Sequence, residues 1–334
     1  MAGIAVAGNM IVDKYLLVDS YPQPSALTTI RSVSFEPGGL ACNCAVDLAR
    51  LDPDLRIPVV GIVGDDADGD FILDRLHKYP AIETKGVLRG GETSFTDVME
   101  DASTGSRTFF QYRGANALLD VEHFDFDSLD VDLLHVGYAL LLDRLDAPDP
   151  QFGTRLARLL SIARDAGVET SIDAVSEDSE RFEKIIPPAL PHVDYLLVNE
   201  YEASRILGEP LPPGTSASAE TMTHLARGLL ELGVHRWVVI HAAEGAVGVS
   251  ADGAEVQLPS LHLKESQIAT RTGAGDAFAS GTIWGAWAKK SLKEAMEIGM
   301  GAAALSLQVA NATDGVPEHS QALLYYRNGK KVQW

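Results

Sequence analysis

Cysteine is almost absent. The 334 residues carry two, Cys42 and Cys44, separated by one residue. That spacing provides neither a disulfide scaffold nor a CxxC metal site and suits a reducing compartment, so a cytoplasmic protein is expected. Basic charge is also scarce, with 27 Lys and Arg against 47 Asp and Glu and a formal net charge of −20. Nucleic acid and anionic membrane surfaces are therefore not expected partners, because both need a basic footprint. An anionic small molecule is not excluded, since a few local amides or cations can bind phosphate inside an acidic protein. No stretch reaches the ~18 uninterrupted apolar residues of a membrane-spanning helix. The apolar start Met1–Gly8 has no basic residue before it, so it is expected to be a buried strand and not a signal peptide. There is no internal repeat and no block of like charge.

What is present is a globular composition, 46% hydrophobic and 22% charged, with enough apolar material to bury a sizeable core. The length exceeds twice the ~150 residues of a modal domain, which leaves one large α/β domain or two ordinary ones open. Short apolar runs alternate with helical patterns. Strands are expected at Ile4–Ala7, Val59–Val63, Leu133–Val136, Thr170–Ile172, Tyr195–Val198 and Trp237–Ile240. Helices are expected at Ala41–Leu51, Asp70–Lys78, Phe152–Ala166, Thr221–Leu232, Ala274–Lys289 and Leu292–Gln308. Buried strands separated by helices imply βαβ units and a mainly parallel sheet covered on both faces.

Two segments break this rhythm. Lys14–Glu36 lacks a helical period and contains extended pieces such as Thr28–Phe35. Ser94–Tyr112 reads as strands Ser94–Glu100 and Arg107–Tyr112 around a polar loop, Asp101–Ser106. Together they form either a small antiparallel sheet projecting from the core, with an apolar face including Phe95, Val98 and Phe109, or simply two surface hairpins. A third hairpin is expected at Ala246–Ser250 and Ala254–Leu258, through Asp252-Gly253. Leu211–Ser218 is a loop by composition.

The sharpest local signal is Thr272-Gly273-Ala274-Gly275-Asp276 ahead of an apolar helix. Glycines bring backbone amides close to a ligand, and the first N–H groups of a helix point outward without partners. Those amides and the helix dipole suit a phosphoryl group in flight, and an Asp in the first turn can take a proton from a hydroxyl. Alternatively, Asp276 is there only because the dipole favours it. Gly38-Gly39-Leu40-Ala41-Cys42-Asn43 opens another helix, with Ala41, Ala45, Leu48 and Leu51 as its buried stripe. Asn43, Asp47 and Arg50 fall on the other face, which is either a ligand-facing or an ordinary solvated surface. Asn199-Glu200-Tyr201-Glu202 has capping-box spacing, and its oxygens also suit the water shell of Mg²⁺. Asp13, Asp173, Asn199 and His241 sit after or at strand ends, where open α/β sheets bind ligands.

Taken in order, these pieces resemble the ribokinase-like (PfkB) family of carbohydrate kinases along nearly the whole chain. Gly38-Gly39 through Asn43 is similar to the N-terminal GG signature, with Asp13 at the sugar-binding aspartate. Asn199 and Glu202 match an NxxE motif, and Gly273-Ala274-Gly275-Asp276 matches the GAGD motif. Gly114-Ala115-Asn116 resembles the GAN that follows the lid hairpin. The resemblance implies a three-layer α/β/α core over residues 1–334, a single ribokinase-like domain, with a β-sheet lid from roughly 14–36 and 94–112. It implies ATP and Mg²⁺ as cofactors and a small sugar-like substrate held by Asp13, Gly38, Gly39, Asn43 and Asp276. Asp276 would be the catalytic base, and Gly273, Ala274 and Gly275 would form the anion hole. His241, Gly245, Gly273 and Gly275 would contact nucleotide, and Asn199 and Glu202 would hold the metal mainly through water. A homodimer through the lids is expected.

The chain also departs from that pattern. Ile240 and Ala242 stand where a polar TxG turn is usual near the nucleotide. Thr270 replaces an Asp that serves a monovalent cation. Arg271 beside the anion hole either binds phosphate or pairs with a surface carboxylate, and Gly137-Tyr138 replaces a ribokinase glutamate. A sugar kinase is therefore expected, with a nucleoside kinase or a catalytically weak sugar or nucleoside sensor as alternatives.

Overall fold

The β-branched runs become the strands of one nine-stranded sheet in a computed structural model that describes residues 2–177, 179–212 and 215–334. The strands are β1 (Ile4–Gly8), β2 (Ile11–Val18), β3 (Ile30–Gly38), β4 (Ile57–Val63), β5 (Ile82–Arg89), β6 (Ser94–Asp101), β7 (Arg107–Tyr112), β8 (Leu133–Ala139), β9 (Pro148–Asp149), β10 (Gly153–Thr154), β11 (Glu169–Ala174), β12 (Tyr195–Asn199), β13 (Trp237–His241), β14 (Gly245–Ser250) and β15 (Glu255–Pro259). The helices are α1 (Leu40–Leu51), α2 (Ala67–Leu76), α3 (Phe126–Leu129), α4 (Arg155–Asp165), α5 (Phe182–Ile185), α6 (Glu200–Ile206), α7 (Ala219–Glu231), α8 (Ala274–Trp287), α9 (Leu292–Ser306) and α10 (His319–Asn328).

The sheet order is β15-β14-β13-β12-β11-β8-β1-β4-β5. It is parallel from β13 to β5, and the β14–β15 hairpin closes one side antiparallel. Side-chain alternation divides each strand between two apolar cores. Ile4, Val6 and Leu133 join α1, α2, α8, α9 and α10. Ala5, Ala7, Leu134 and Val136 join α4, α5, α6 and α7. This is the three-layer α/β/α architecture that the resemblance implies. Among the described residues no helix is long and apolar enough to cross a membrane.

The second sheet, ordered β3-β2-β6-β7, is mixed and not antiparallel throughout as expected. The β2–β3 and β6–β7 pairs are antiparallel, whereas β2 and β6 run parallel. The cause is topological: β2 continues from β1 and β6 follows β5, two strands that point the same way in the main sheet. The expected shared face of Phe95, Val98 and Phe109 also fails, because a separation of three residues puts Phe95 on the opposite side of the pleat from Val98. Val98 is buried opposite the exposed Phe109, its partner across the β6–β7 pair.

Other differences have equally local causes. Edge strand β5 was not expected, because Lys85 and Gly86 interrupt its apolar run. The mixed-polarity α10 was also missed, and the short α6 was marked only by its capping-box spacing. The C-terminal hairpin agrees within one residue at each strand boundary. Pro213 and Gly214 of the expected Leu211–Ser218 loop lie outside the described residues. The face of α1 that carries Asn43 and Asp47 is not solvated: they are 5% and 0% exposed, because α8 packs along it.

Candidate active site

The β1–β2 junction builds the inner corner of the site. Asn9 donates its backbone N–H to Gly137 O at 2.8 Å, and its side-chain Oδ1 accepts from the Tyr138 amide at 2.6 Å. The Asn9 carbonyl accepts from the Ala41 amide at 3.0 Å, fixing the first turn of α1 against the strand. Gly39 permits this approach: its φ is 82°, and a methyl group there would lie 2.6 Å from Asn9 O. Gly38 is equally constrained, since a side chain would overlap the Asp13 carboxylate.

Asp276 stands at the centre, in the first turn of α8. Asn43 Nδ2 donates to its Oδ2 at 2.8 Å and Tyr138 Oη donates to its Oδ1 at 2.6 Å. Burial raises the Asp276 pKa, and these two hydrogen bonds oppose the rise. Asp13 is pushed up to about 7, first by burial and then by the negative charges of Asp276 and Glu36. Gly273 caps α8 with φ 81°, and a methyl there would lie 2.5 Å from Ala312 Cβ.

On the other side of Asp276 lies a cleft of about 770 Å³. Gly273 and Gly275 line it, together with Asp173, Ser176, Asn199 and Glu202. Asn199 and Glu202 form the expected capping box of α6, and Asn199 Nδ2 also donates to Glu202 Oε1 and Ser176 Oγ, each at 2.8 Å. Burial pushes Glu202 up to about 7, and Asp173 is raised by burial and then by the charges of Glu202 and Asp276. A cation in the cleft would relieve that penalty. Among the described residues no three His, Cys, Asp or Glu side chains are grouped to hold a metal directly; the oxygens of Asp173, Asn199 and Glu202 on this wall are of the kind that suits the water shell of a hard cation.

An apolar pocket of about 390 Å³ adjoins the cleft, lined in part by Phe278, Met300 and Leu307. His241 borders both spaces, and burial lowers its pKa to about 4, so the ring is neutral at pH 7. Gly245 is not brought into either space; it packs under Trp334, with the ring 2.6 Å from where a methyl would stand. Arg271 borders the cleft, but its guanidinium turns to Glu265 at 3.0 Å, the surface pairing left open by the sequence.

Asp13, Gly38, Gly39 and Asn43 lie on the inner side of Asp276, and Asn199, Glu202, His241, Gly273 and Gly275 lie on the cleft side. The sequence reading missed Ser176, Arg107 from the second sheet, the structural hub Asn9 and the contact between Tyr138 and Asp276. The partners of Asn9 depend on the β1–β8 register, which no local run of residues reveals.

A family model described as pfkB family carbohydrate kinase matches residues 1–319. A ribokinase of Schizosaccharomyces pombe is 26% identical over 332 residues, covering 95% of each chain. A nucleoside kinase of Methanothermobacter thermautotrophicus is 22% identical over 321 residues, covering 96% of this chain and 94% of its own. The structure of Arabidopsis thaliana ribokinase complexed with ribose and ATP superposes with a TM-score of 0.79 at 22% identity, covering 98% of this chain and 99% of that one.

Proposed function

Because the chain belongs to the pfkB family of carbohydrate kinases, we propose that it transfers a phosphoryl group from ATP to a hydroxyl of a small sugar. The observation that carries this reading is Asp276, held from one side by Asn43 and Tyr138 and placed at the amide-rich start of α8 on the other. Asp13, Gly39 and Asn43 would seat the sugar. Each Asp276 oxygen keeps a lone pair for the incoming hydroxyl and would take its proton. The amides of Gly273, Ala274 and Gly275 would meet the charge on the phosphoryl group in transfer. The cleft fits the phosphates, and the adjoining apolar pocket fits a base beside the neutral His241. Asn199 and Glu202 would orient water around Mg²⁺, which when bound supplies charge neutralisation between phosphate oxygens. The second sheet would act as the lid, with Arg107 and Phe109 closing the cleft against water. A cytoplasmic location fits the reduced cysteines.

The test is ADP release over a panel of sugars and nucleosides. Turnover with a sugar supports the reading. Preference for a nucleoside selects the nucleoside kinase alternative, to which the Methanothermobacter relative lends weight. Thermal stabilisation without turnover selects the sensor.

Three further outcomes follow. Sugar affinity measured without ATP should rise as pH increases through about 7, because Asp13 must be ionised to accept hydroxyl protons. Asp13→Asn should abolish that dependence, and an unchanged pH profile in this variant would assign it to another group. Turnover should require Mg²⁺ and gain little when K⁺ replaces Na⁺ at fixed ionic strength. Thr270 offers no charge, and its hydroxyl already accepts from the Thr272 amide at 3.1 Å. A several-fold gain specific to K⁺ would overturn this. Finally, the second sheet exposes Val33, Phe35 and Phe110 on one face and Phe109 on the other. A lid-to-lid homodimer would cover such a surface, and a monomeric mass by light scattering at micromolar concentration would count against it.

A further inference from the structure

Asp47 is a carboxyl with no evident employment. It is fully buried between α1 and α8, and neither of its oxygens has a hydrogen-bond partner. Two other buried atoms nearby share that condition: Asn43 Oδ1, one helical turn earlier on α1, and Ser280 Oγ, one turn after Asp276 on α8. The helices are already joined at the preceding turn, where Asn43 Nδ2 reaches Asp276 Oδ2 at 2.8 Å. Residues four apart share a helix face, so Asp47 follows Asn43 as Ser280 follows Asp276. The Cys44 thiol is close to Ser280, Asp47 and Asp276, which ties the two turns together.

These four atoms are one donor short. Asn43 Oδ1 and both Asp47 oxygens accept, and only Ser280 brings a hydroxyl proton. An ionised Asp47 would leave acceptor facing acceptor on one buried helix face. The charged and titratable groups facing it offer no relief. Asp276 on α8 is an acid, Cys44 on α1 is a thiol that burial keeps protonated, and Arg50 has its guanidinium on the carbonyls of Asp314 and Val316 at 2.6 and 2.8 Å. Burial and then the Asp276 charge push the Asp47 pKa well up, against Arg50. A proton on Asp47 would supply a donor for Asn43 Oδ1, its neighbour one turn earlier on the same helix face, while the Ser280 hydroxyl faces the Cys44 thiol.

We propose that Asp47 is a positioning residue that works as the neutral acid, fixing the Asn43 amide so that its NH₂ faces Asp276. An amide has two orientations. With a donor behind it, Asn43 keeps its carbonyl toward Asp47 and its NH₂ toward the reacting carboxylate. With an ionised Asp47 behind it, the NH₂ turns away and a carbonyl oxygen opposes Asp276. Because Asn43 donation lowers the Asp276 pKa, Asp47 sets the pH at which the base becomes available. This inference rests on Asp276 being the base.

The experiment compares Asp47→Asn, Asp47→Leu and Asp276→Asn by kcat, KM for ATP, the pH profile of kcat and thermal melting. Asparagine at 47 donates to Asn43 Oδ1 at every pH, so this variant should keep kcat within about twofold and retain the parental acid limb. Leucine cannot donate. It should melt no lower than the parent, since it replaces a buried polar group with an apolar one of similar size. It should lose about tenfold in kcat with KM for ATP unchanged, and its acid limb should move about one pH unit higher. An Asp47→Leu enzyme with parental kcat and limb overturns the proposal, as does an Asp47→Asn enzyme impaired as severely as Asp47→Leu. If Asp276→Asn turns over normally, the base assignment falls and the proposal with it. If Asp276→Asn is dead while the Asp47→Leu profile is unshifted, the proposal alone falls.

Discussion

Asp276→Asn is expected to fold normally and to lose turnover by about 10²–10⁴, the usual contribution of a general base. The geometry separates this effect from damage to the site. Asparagine has the same shape, its Oδ1 still accepts from Tyr138, and its amide cannot take the hydroxyl proton. Removing a carboxylate that burial penalises offsets the donor-to-donor contact of the new NH₂ with Asn43 Nδ2, so the melting temperature should stay within a few degrees of the parent. The sugar should still bind through Asp13 and Asn43, which calorimetry on the variant would show. Turnover near the parental rate would remove Asp276 from the role of base.

The second large effect is expected at Gly273, where the same chemistry fails for a different reason. Gly273→Ala places a β-carbon at φ 81°, against Ala312 Cβ at 2.5 Å and Ala312 Cα and O at 2.8 Å. The left-handed conformation alone costs about 1–2 kcal/mol. The contact forces the turn away from Ala312 and carries the amides of Ala274 and Gly275 off their target. A displaced anion hole costs about 10²–10³ in kcat. Sugar affinity should be unchanged, because Asp13, Gly39 and Asn43 lie on the far side of Asp276. Gly167→Ala is the control: its φ is 82° but nothing lies within 4 Å of the new carbon, so it should lose stability and keep its activity. Equal activity in Gly273→Ala and the control would show that the turn tolerates displacement.

The alternating architecture was legible because buried parallel strands read as short apolar runs, and β1, β4, β8, β12 and β13 carry that signal strongly. The clusters Gly38-Gly39, Asn199–Glu202 and Gly273–Asp276 were legible for a related reason, since each lies within a few residues of chain at a strand-to-helix or helix-start position. What could not be read depends on which distant segments meet. The burial of Asp47 is decided by α8, more than two hundred residues away. The Tyr138 contact with Asp276 requires β8 to lie beside β1, and the parallel pairing of β2 with β6 follows from the order of strands in the other sheet. Gly245 carried a plausible role in the sequence until Trp334, at the far end of the chain, proved to cover it.

The three hydrogen bonds gathered at Asn9 have a mechanical consequence. They clamp β1, β8 and α1 together just where β2 leaves the main sheet, with Asp13 only four residues farther on. A plate fixed at its root behaves as a cantilever, and its displacement grows with distance from the clamp. Asp13 sits near the fixed end, paired with Thr96 and Glu36, while Arg107 sits at the free end, opposite Glu100. Flexing of the second sheet would therefore leave Asp13 still and move Arg107, which lines the cleft beside Thr272. On the proposed function, the acceptor would meet a finished surface, and the work of closing would fall on the nucleotide side.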